Sequence, residues 1–387
     1  MGIGTALSKL FSLPKLMRYS GEAETFWKES KANLIDELYD ILINKPRQDV
    51  RGITKRYADR LSLPQLDCDE SEIGKFYEIM KTHGEKNFVA SIVDSGSKTD
   101  LIKELTVPAL IAIDGMEIAR KDGENCLATL CYLSLSSDMG DGVLDNEVPR
   151  PLNSSIPYEK WVSGYKIVAA GAFNISESRL KTMDEKIQER VGRGLAKVTL
   201  AEELDLKYSR EREVPINVLD EIYEGKIAEI QKTIFGSLNI LGGNRYPTLE
   251  AGAGYLADEA QILDDYEDLL GEDNKEPIIP NPSYFLTYCR IEWKKKPRNI
   301  VNKLEQELVE TMKDASIDTK TKAMEFHAKV EGEYEKLNEG FKTKPFIAFI
   351  VEEVNKKVSR AHETFATGGD KTFGPLIPQI KKLVLTE

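Results

Sequence analysis

The sequence is poor in the residues that most often carry covalent or metal chemistry by themselves. It has 3 His and 4 Cys in 387 residues. Cys68, Cys126, Cys131 and Cys289 are scattered, without the paired spacing of a zinc site. His83, His327 and His362 stand far apart, join no Ser/His/Asp grouping, and are expected on the surface. Long hydrophobic runs are missing too. Stretches such as Val107 to Ile113 are too short to cross a bilayer. The start carries no long apolar leader with a small-residue cleavage site. Gly2 is present, but Ala6 breaks the myristoylation pattern. Reduced thiols and a cytoplasmic location are therefore the expectation. A basic excess is also absent. The 53 Lys+Arg against 65 Asp+Glu leave a net charge of −12, which argues against nucleic acid as a ligand because phosphates need cations. A phosphorylated ligand held through a metal stays allowed.

What is present is helix. With 41% hydrophobic and 30% charged residues the chain can bury a sizeable core. Apolar residues recur at three- and four-residue spacing in Phe26 to Leu42, Val218 to Leu241, Leu256 to Leu270, Ile300 to Met312 and Ala323 to Phe341. Alternating β-patterned runs bounded by hairpin turns are scarce. Breakers cluster at Lys45-Pro46, Gly140 to Pro151, Gly242 to Pro247, Glu276 to Pro282 and Thr367 to Pro378. No internal repeat or low-complexity linker divides the chain. The reading is a single all-α domain over 1–387. Residues 1–290 would be its core, and 291–387 a Lys/Glu-rich helical part or extension. Leu7 to Arg18 is a short basic amphipathic stretch, suited either to packing on its own fold or to peripheral contact with an anionic membrane surface.

Two acidic segments stand out. On a helix, Asp264, Asp268 and Glu272 form one stripe, with Gln261 a turn earlier and Ile262, Leu263, Leu269 and Leu270 as apolar anchors. Like charges four residues apart repel. From Asp258 to Glu276 there are nine acidic residues and one basic, Lys275, so this is no ordinary mixed solvated face. A hard divalent cation would offset the repulsion. Upstream, Asp138, Asp141 and Asp145 share a helical face at spacings +3 and +7, after the apolar segment Cys126 to Leu135. Inward carboxylates from facing helices are how bundles build metal sites. A helix end running into an acidic loop is the bland alternative for this second segment.

These motifs resemble the two aspartate-rich motifs of the class I isoprenoid synthases, nearest the trans-polyprenyl diphosphate synthases. The first family motif is two Asp, two residues, Asp, four residues, Arg. Here it reads Asp141-Gly142-Val143-Leu144-Asp145, four residues, then Arg150. The second, Gln-Ile-x-Asp-Asp-x-x-Asp followed by Gly, acid, Asp and Lys, is matched by Gln261 to Lys275 almost throughout. Between them, Gly225-Lys226-Ile227 resembles the diphosphate-holding Lys site, with Ile227 in place of the usual Thr. The resemblance covers roughly residues 100 to 290.

The resemblance implies a helical bundle with a central apolar cavity and two to three Mg²⁺ ions bridging the diphosphate of an allylic prenyl substrate. Asp138, Asp141, Asp145, Asp264, Asp265, Asp268 and Glu272 would be the metal ligands. Arg150, Lys226, Gln261 and Lys275 would bind substrate, with Lys226 and Asp264 central to catalysis. Transfer to isopentenyl diphosphate, giving a longer prenyl diphosphate, is the leading expectation. A homodimer is the expected assembly. Two departures keep alternatives open. Gly142 stands where the family has its second Asp, with Asp138 a substitute from the preceding turn. The nearest counterpart of the basic co-substrate segment, Lys103 to Pro108, lacks its arginines. A terpene cyclase or a prenyl transferase to another acceptor would need no such segment. A non-catalytic helical partner subunit is the alternative from a different class. Small Ser134, Ser136 and Ser137 before the first motif would leave room for a long product.

Overall fold

The structure, a computed structural model, describes residues 14–96, 99–144, 148–149, 155–208, 214–246, 248–255, 257, 359–361 and 363–364. The described residues are helical, without a strand among them. Contacts divide them into two compact units. The first is Leu13–Ala196 with Thr233–Arg245; the second contains the described residues of 197–232 and 246–387.

The first unit follows from apolar periodicity. Helix α1 (Pro14–Leu42) opens on a proline, whose missing N–H costs nothing at a helix start. It buries Tyr19, Ala23, Phe26, Trp27, Leu34, Leu38 and Leu42 along one stripe. Helix α2 (Arg47–Leu61) buries Val50, Ile53, Tyr57 and Leu61 at the same spacing. Helix α3 (Glu70–His83) begins with a capping box: Glu72 N donates to Asp69, and Asp69 N donates to the Glu72 carboxylate. Helices α4 (Glu85–Gly96) and α5 (Thr99–Gly115) follow, with Pro108 inside α5. His83 is exposed, as expected.

Helices α6 (Arg120–Leu144) and α7 (Tyr158–Leu180) form the centre of this unit. Neither is amphipathic in the usual sense. Cys126 to Ser136 and Ile167 to Phe173 are buried without interruption, as a helix surrounded on all sides must be. Each leucine, isoleucine or valine so buried contributes about 1.5–3 kcal/mol. Hydroxyls satisfy the polar groups of the contact. Ser136 Oγ donates to Ala169 O at 2.8 Å, and Ser176 Oγ to Thr129 O at 2.9 Å. Tyr132 Oη donates to Ser30 O at 2.6 Å, tying α6 to α1. Trp161 packs edge-on against Phe88 and donates Nε1 to Pro149 O at 2.9 Å.

Helix α6 runs through Gly140, where a chain break was expected, to Leu144. A Cβ at Gly140 would stand 2.6 Å from Tyr57 Oη, and that hydroxyl donates to Ser136 O at 2.7 Å. Gly140 thus admits a neighbouring helix rather than a turn.

Helix α8 (Glu185–Tyr208) leads into α9 (Ile216–Tyr223), a π turn (Glu224–Ala228) and α10 (Glu229–Leu241). The expected helix Val218 to Leu241 is continuous, but one turn of it is widened. The expected break at Gly242 holds. Gly243 N donates to Ile240 O at 3.1 Å and Asn244 N to Asn239 O at 2.7 Å, with Gly243 at φ +80°. That is a Schellman termination, which needs the left-handed conformation glycine adopts freely. Leu256 to Leu270 lies almost wholly, and Ile300 to Met312 and Ala323 to Phe341 entirely, outside the described residues.

Candidate active site

In the first unit, the buried body of α6 delivers the first acidic motif. Burial relaxes after Ser136, and Asp138 and Asp141 are half-buried on one helical face. Asp138 borders Tyr165, a buried tyrosine. The Tyr165 phenol is held above its ordinary range chiefly by burial and secondarily by the Asp138 charge. Ser136, read as leaving space for a long product, instead spends its small size on the α7 backbone. Ser134 is buried as well.

In the second unit, α8 faces the π turn through a charged seam. A Cβ on Gly225 would stand 2.4 Å from the Ala201 methyl, so the two backbones approach closely only because position 225 has no side chain. The next residue, Lys226, extends to α8. Its Nζ donates to Asp205 Oδ2 at 2.6 Å and pairs with Glu202 Oε2 at 3.2 Å. The three side chains are 20%, 19% and 10% exposed respectively for Lys226, Asp205 and Glu202. One turn on, Glu229 Oε2 accepts from Lys197 Nζ at 3.1 Å. Isolated π turns inside α-helices recur at functional positions. This one carries the lysine that the sequence singled out.

Glu202 and Asp205 were not foreseen. The available signal was two acids three residues apart on α8, Glu202-Glu203-Leu204-Asp205, ahead of the Gly-Lys pair. Their meeting with Lys226 is tertiary. Of the residues named from sequence, Asp138, Asp141 and Lys226 lie in described elements. Asp145, Arg150, Gln261, Asp264, Asp265, Asp268, Glu272 and Lys275 lie outside the described residues. Among the described residues, no three His, Cys, Asp or Glu side chains gather as a metal site.

The counterpart of the basic co-substrate segment lies in α5. Leu105, Thr106 and Val107 are buried there, so this part of the segment faces the core. Cys68, Cys126 and Cys131 are free and buried, with Cys126 and Cys131 pushed up to about 12 by burial, so they are poor nucleophiles. No described helix is long and apolar enough to cross a membrane.

No protein-family profile matches the sequence, and no curated protein matches it. Solved structures do. A polyprenyl synthetase from Streptomyces coelicolor A3(2) is 14% identical over 86% of this chain and 99% of its own, with a TM-score of 0.57. A polyprenyl synthase from Caulobacter crescentus CB15, complexed with calcium and isoprenyl diphosphate, is 13% identical over 91% of this chain and 98% of its own, at 0.55. A geranylgeranyl pyrophosphate synthetase from Pyrococcus horikoshii Ot3 is 15% identical over 82% of this chain and 100% of its own, at 0.52. The chain shares the helical fold of these polyprenyl and geranylgeranyl synthases.

Proposed function

We propose that the chain is a Mg²⁺-dependent prenyltransferase that ionises an allylic prenyl diphosphate and joins the prenyl group to isopentenyl diphosphate. The observation that carries this reading is where α6 delivers its acids. Asp138 and Asp141 emerge half-buried from a helix whose residues Cys126 to Ser136 are sealed in the core. Their donor chemistry fits a hard cation: carboxylate oxygens at one-turn spacing, near apolar surroundings. Asp145 and the acids Asp264, Asp265, Asp268 and Glu272 complete the ligand set in this reading. Bound there, Mg²⁺ supplies charge stabilisation for the departing diphosphate.

The chain's own groups do the rest. Lys226, Arg150 and Lys275 donate hydrogen bonds to diphosphate oxygens, strengthened as negative charge grows when the carbon–oxygen bond breaks. Gln261 orients the substrate. Apolar side chains keep water from the allylic cation. The whole chain acts as a single domain, 1–387, and as a homodimer. The amphipathic segment at Leu7 to Arg18, whose residues from Pro14 onward open α1, would make any peripheral membrane contact.

A second reading, a cyclase or transfer to another acceptor, is favoured by one observation. Leu105, Thr106 and Val107, within the segment that elongation would need to be basic, are buried. Diphosphate release from farnesyl diphosphate with Mg²⁺, run with and without isopentenyl diphosphate, separates the two. Release only with isopentenyl diphosphate, giving a longer prenyl diphosphate, supports elongation. Release without it supports the second reading. No release from short, medium or long allylic diphosphates leaves the helical partner subunit.

A further inference from the structure

Two carboxylates hold the Lys226 ammonium. Asp205 Oδ2 lies 2.6 Å from Nζ and Glu202 Oε2 lies 3.2 Å from it. Their spacing on α8 puts both on one face, and Gly225 against Ala201 brings that face close enough to reach. As a device for stability this is a poor choice. Largely desolvated charges cost more to bury than an apolar contact of similar size. As a device for order it makes sense. A lysine stem has four rotatable carbons, and a ligand that had to immobilise it would bind more weakly. Here the side chain is already 20% exposed and its ammonium already paired.

We propose that Glu202 and Asp205 are positioning residues that hold Lys226 in place and ready for a diphosphate. This rests on the reading above only in naming the anion. Neither acid touches the reacting atoms; each acts through Lys226. Because a carboxylate also cancels positive charge, the opposite outcome is equally definite. If the acids merely masked the lysine, removing one would tighten anion binding.

The test uses the full chain. Calorimetry follows inorganic diphosphate with Mg²⁺, and steady-state kinetics follow farnesyl diphosphate. Asp205→Asn and Glu202→Gln should each weaken Mg²⁺-diphosphate binding about tenfold, as loss of an orienting partner does. The KM for farnesyl diphosphate should rise in parallel, with kcat moving less. Asp205→Glu should restore most of the affinity. Lys226→Ala should weaken binding further, and Lys226→Ala with Asp205→Asn should be no worse than Lys226→Ala alone. Unchanged or tighter binding in Asp205→Asn overturns the proposal. So do independent, multiplying effects in the double variant, or a wild-type chain that binds no Mg²⁺-diphosphate. The two readings fail separately. The calorimetric pattern without turnover removes the prenyltransferase and keeps the positioning role. Turnover with Asp205→Asn and Glu202→Gln behaving as wild type does the reverse. Melting temperatures identify any variant that fails to fold, and Glu202→Gln then carries the test.

Discussion

The α6–α7 pair and the seam between α8 and the π turn are both helix against helix, yet they are made of opposite materials. The first is serine, alanine, glycine and aliphatic side chains, with the Ser136 and Ser176 hydroxyls given to carbonyls of the facing helix. The second is Lys197, Glu202, Asp205, Lys226 and Glu229 around one glycine. Burial without charge produces stability. Charge brought together at partial burial produces little of it and a great deal of local order. The proposed reading divides the labour: α7 and the buried body of α6 hold the fold, while the acidic end of α6 and the seam prepare chemistry.

The sharpest way to break that division is to separate activity from stability. Asp141→Asn and Asp264→Asn should each lower turnover by about 10²–10³-fold while the melting temperature holds or rises, since like-charge repulsion is relieved. Kinetics beside calorimetry check both halves. Trp161→Ala should do the reverse. Trp161 is 1% exposed, and its removal should cost about 3–5 kcal/mol in denaturant titration, without a specific change in KM.

The two close-approach glycines sharpen the comparison. Gly140→Ala and Gly225→Ala each add a methyl at 2.6 and 2.4 Å from a neighbour, at about 1–3 kcal/mol apiece. Gly140→Ala should show its whole effect in stability, through the lost Tyr57 contact. Gly225→Ala should also weaken Mg²⁺-diphosphate binding, because it moves Lys226 away from its acids.

The packed pair should betray itself at high pH. Burial pushes the Tyr132 phenol up to about 12. A folded value above the unfolded one, near 10, means full stability below pH 10 and a loss as pH rises toward 12, of about 2 kcal/mol from this group. Tyr132→Phe should lose about 1 kcal/mol at neutral pH with its hydrogen bond, and should show a shallower alkaline decline. The smallest effect belongs to charge at the surface. Lys55 and Asp59, 60% and 63% exposed, form an i,i+4 pair whose loss in Lys55→Ala should cost under about 0.5 kcal/mol. A larger cost would erase the contrast with the seam.

Much of this was legible from local pattern. The 3.6-residue periodicity of Phe26 to Leu42 located the later part of α1, and the Gly242 to Pro247 cluster marked the end of α10, because both depend on neighbours in the chain. The π turn was not legible. One widened turn leaves the apolar spacing on either side intact, so Val218 to Leu241 reads as uniform helix. Gly140 was misread as a breaker for a related reason: its partner, Tyr57, is 83 positions away in the sequence. The lysine at 226 could be singled out by resemblance, whereas Glu202 and Asp205 had only an unremarkable acidic pair to announce them.

By itself, then, the sequence determined that this protein is helical, where its acids concentrate and which lysine precedes them, since propensity, periodicity and motif spacing are local properties. Only the tertiary structure decided which glycines admit a neighbouring helix, that Ser136 serves packing, and that Lys226 is gripped by two carboxylates of α8. Those facts depend on distances between segments remote in the chain, and hydrophobic burial, which sets those distances, has no direction until the helices meet.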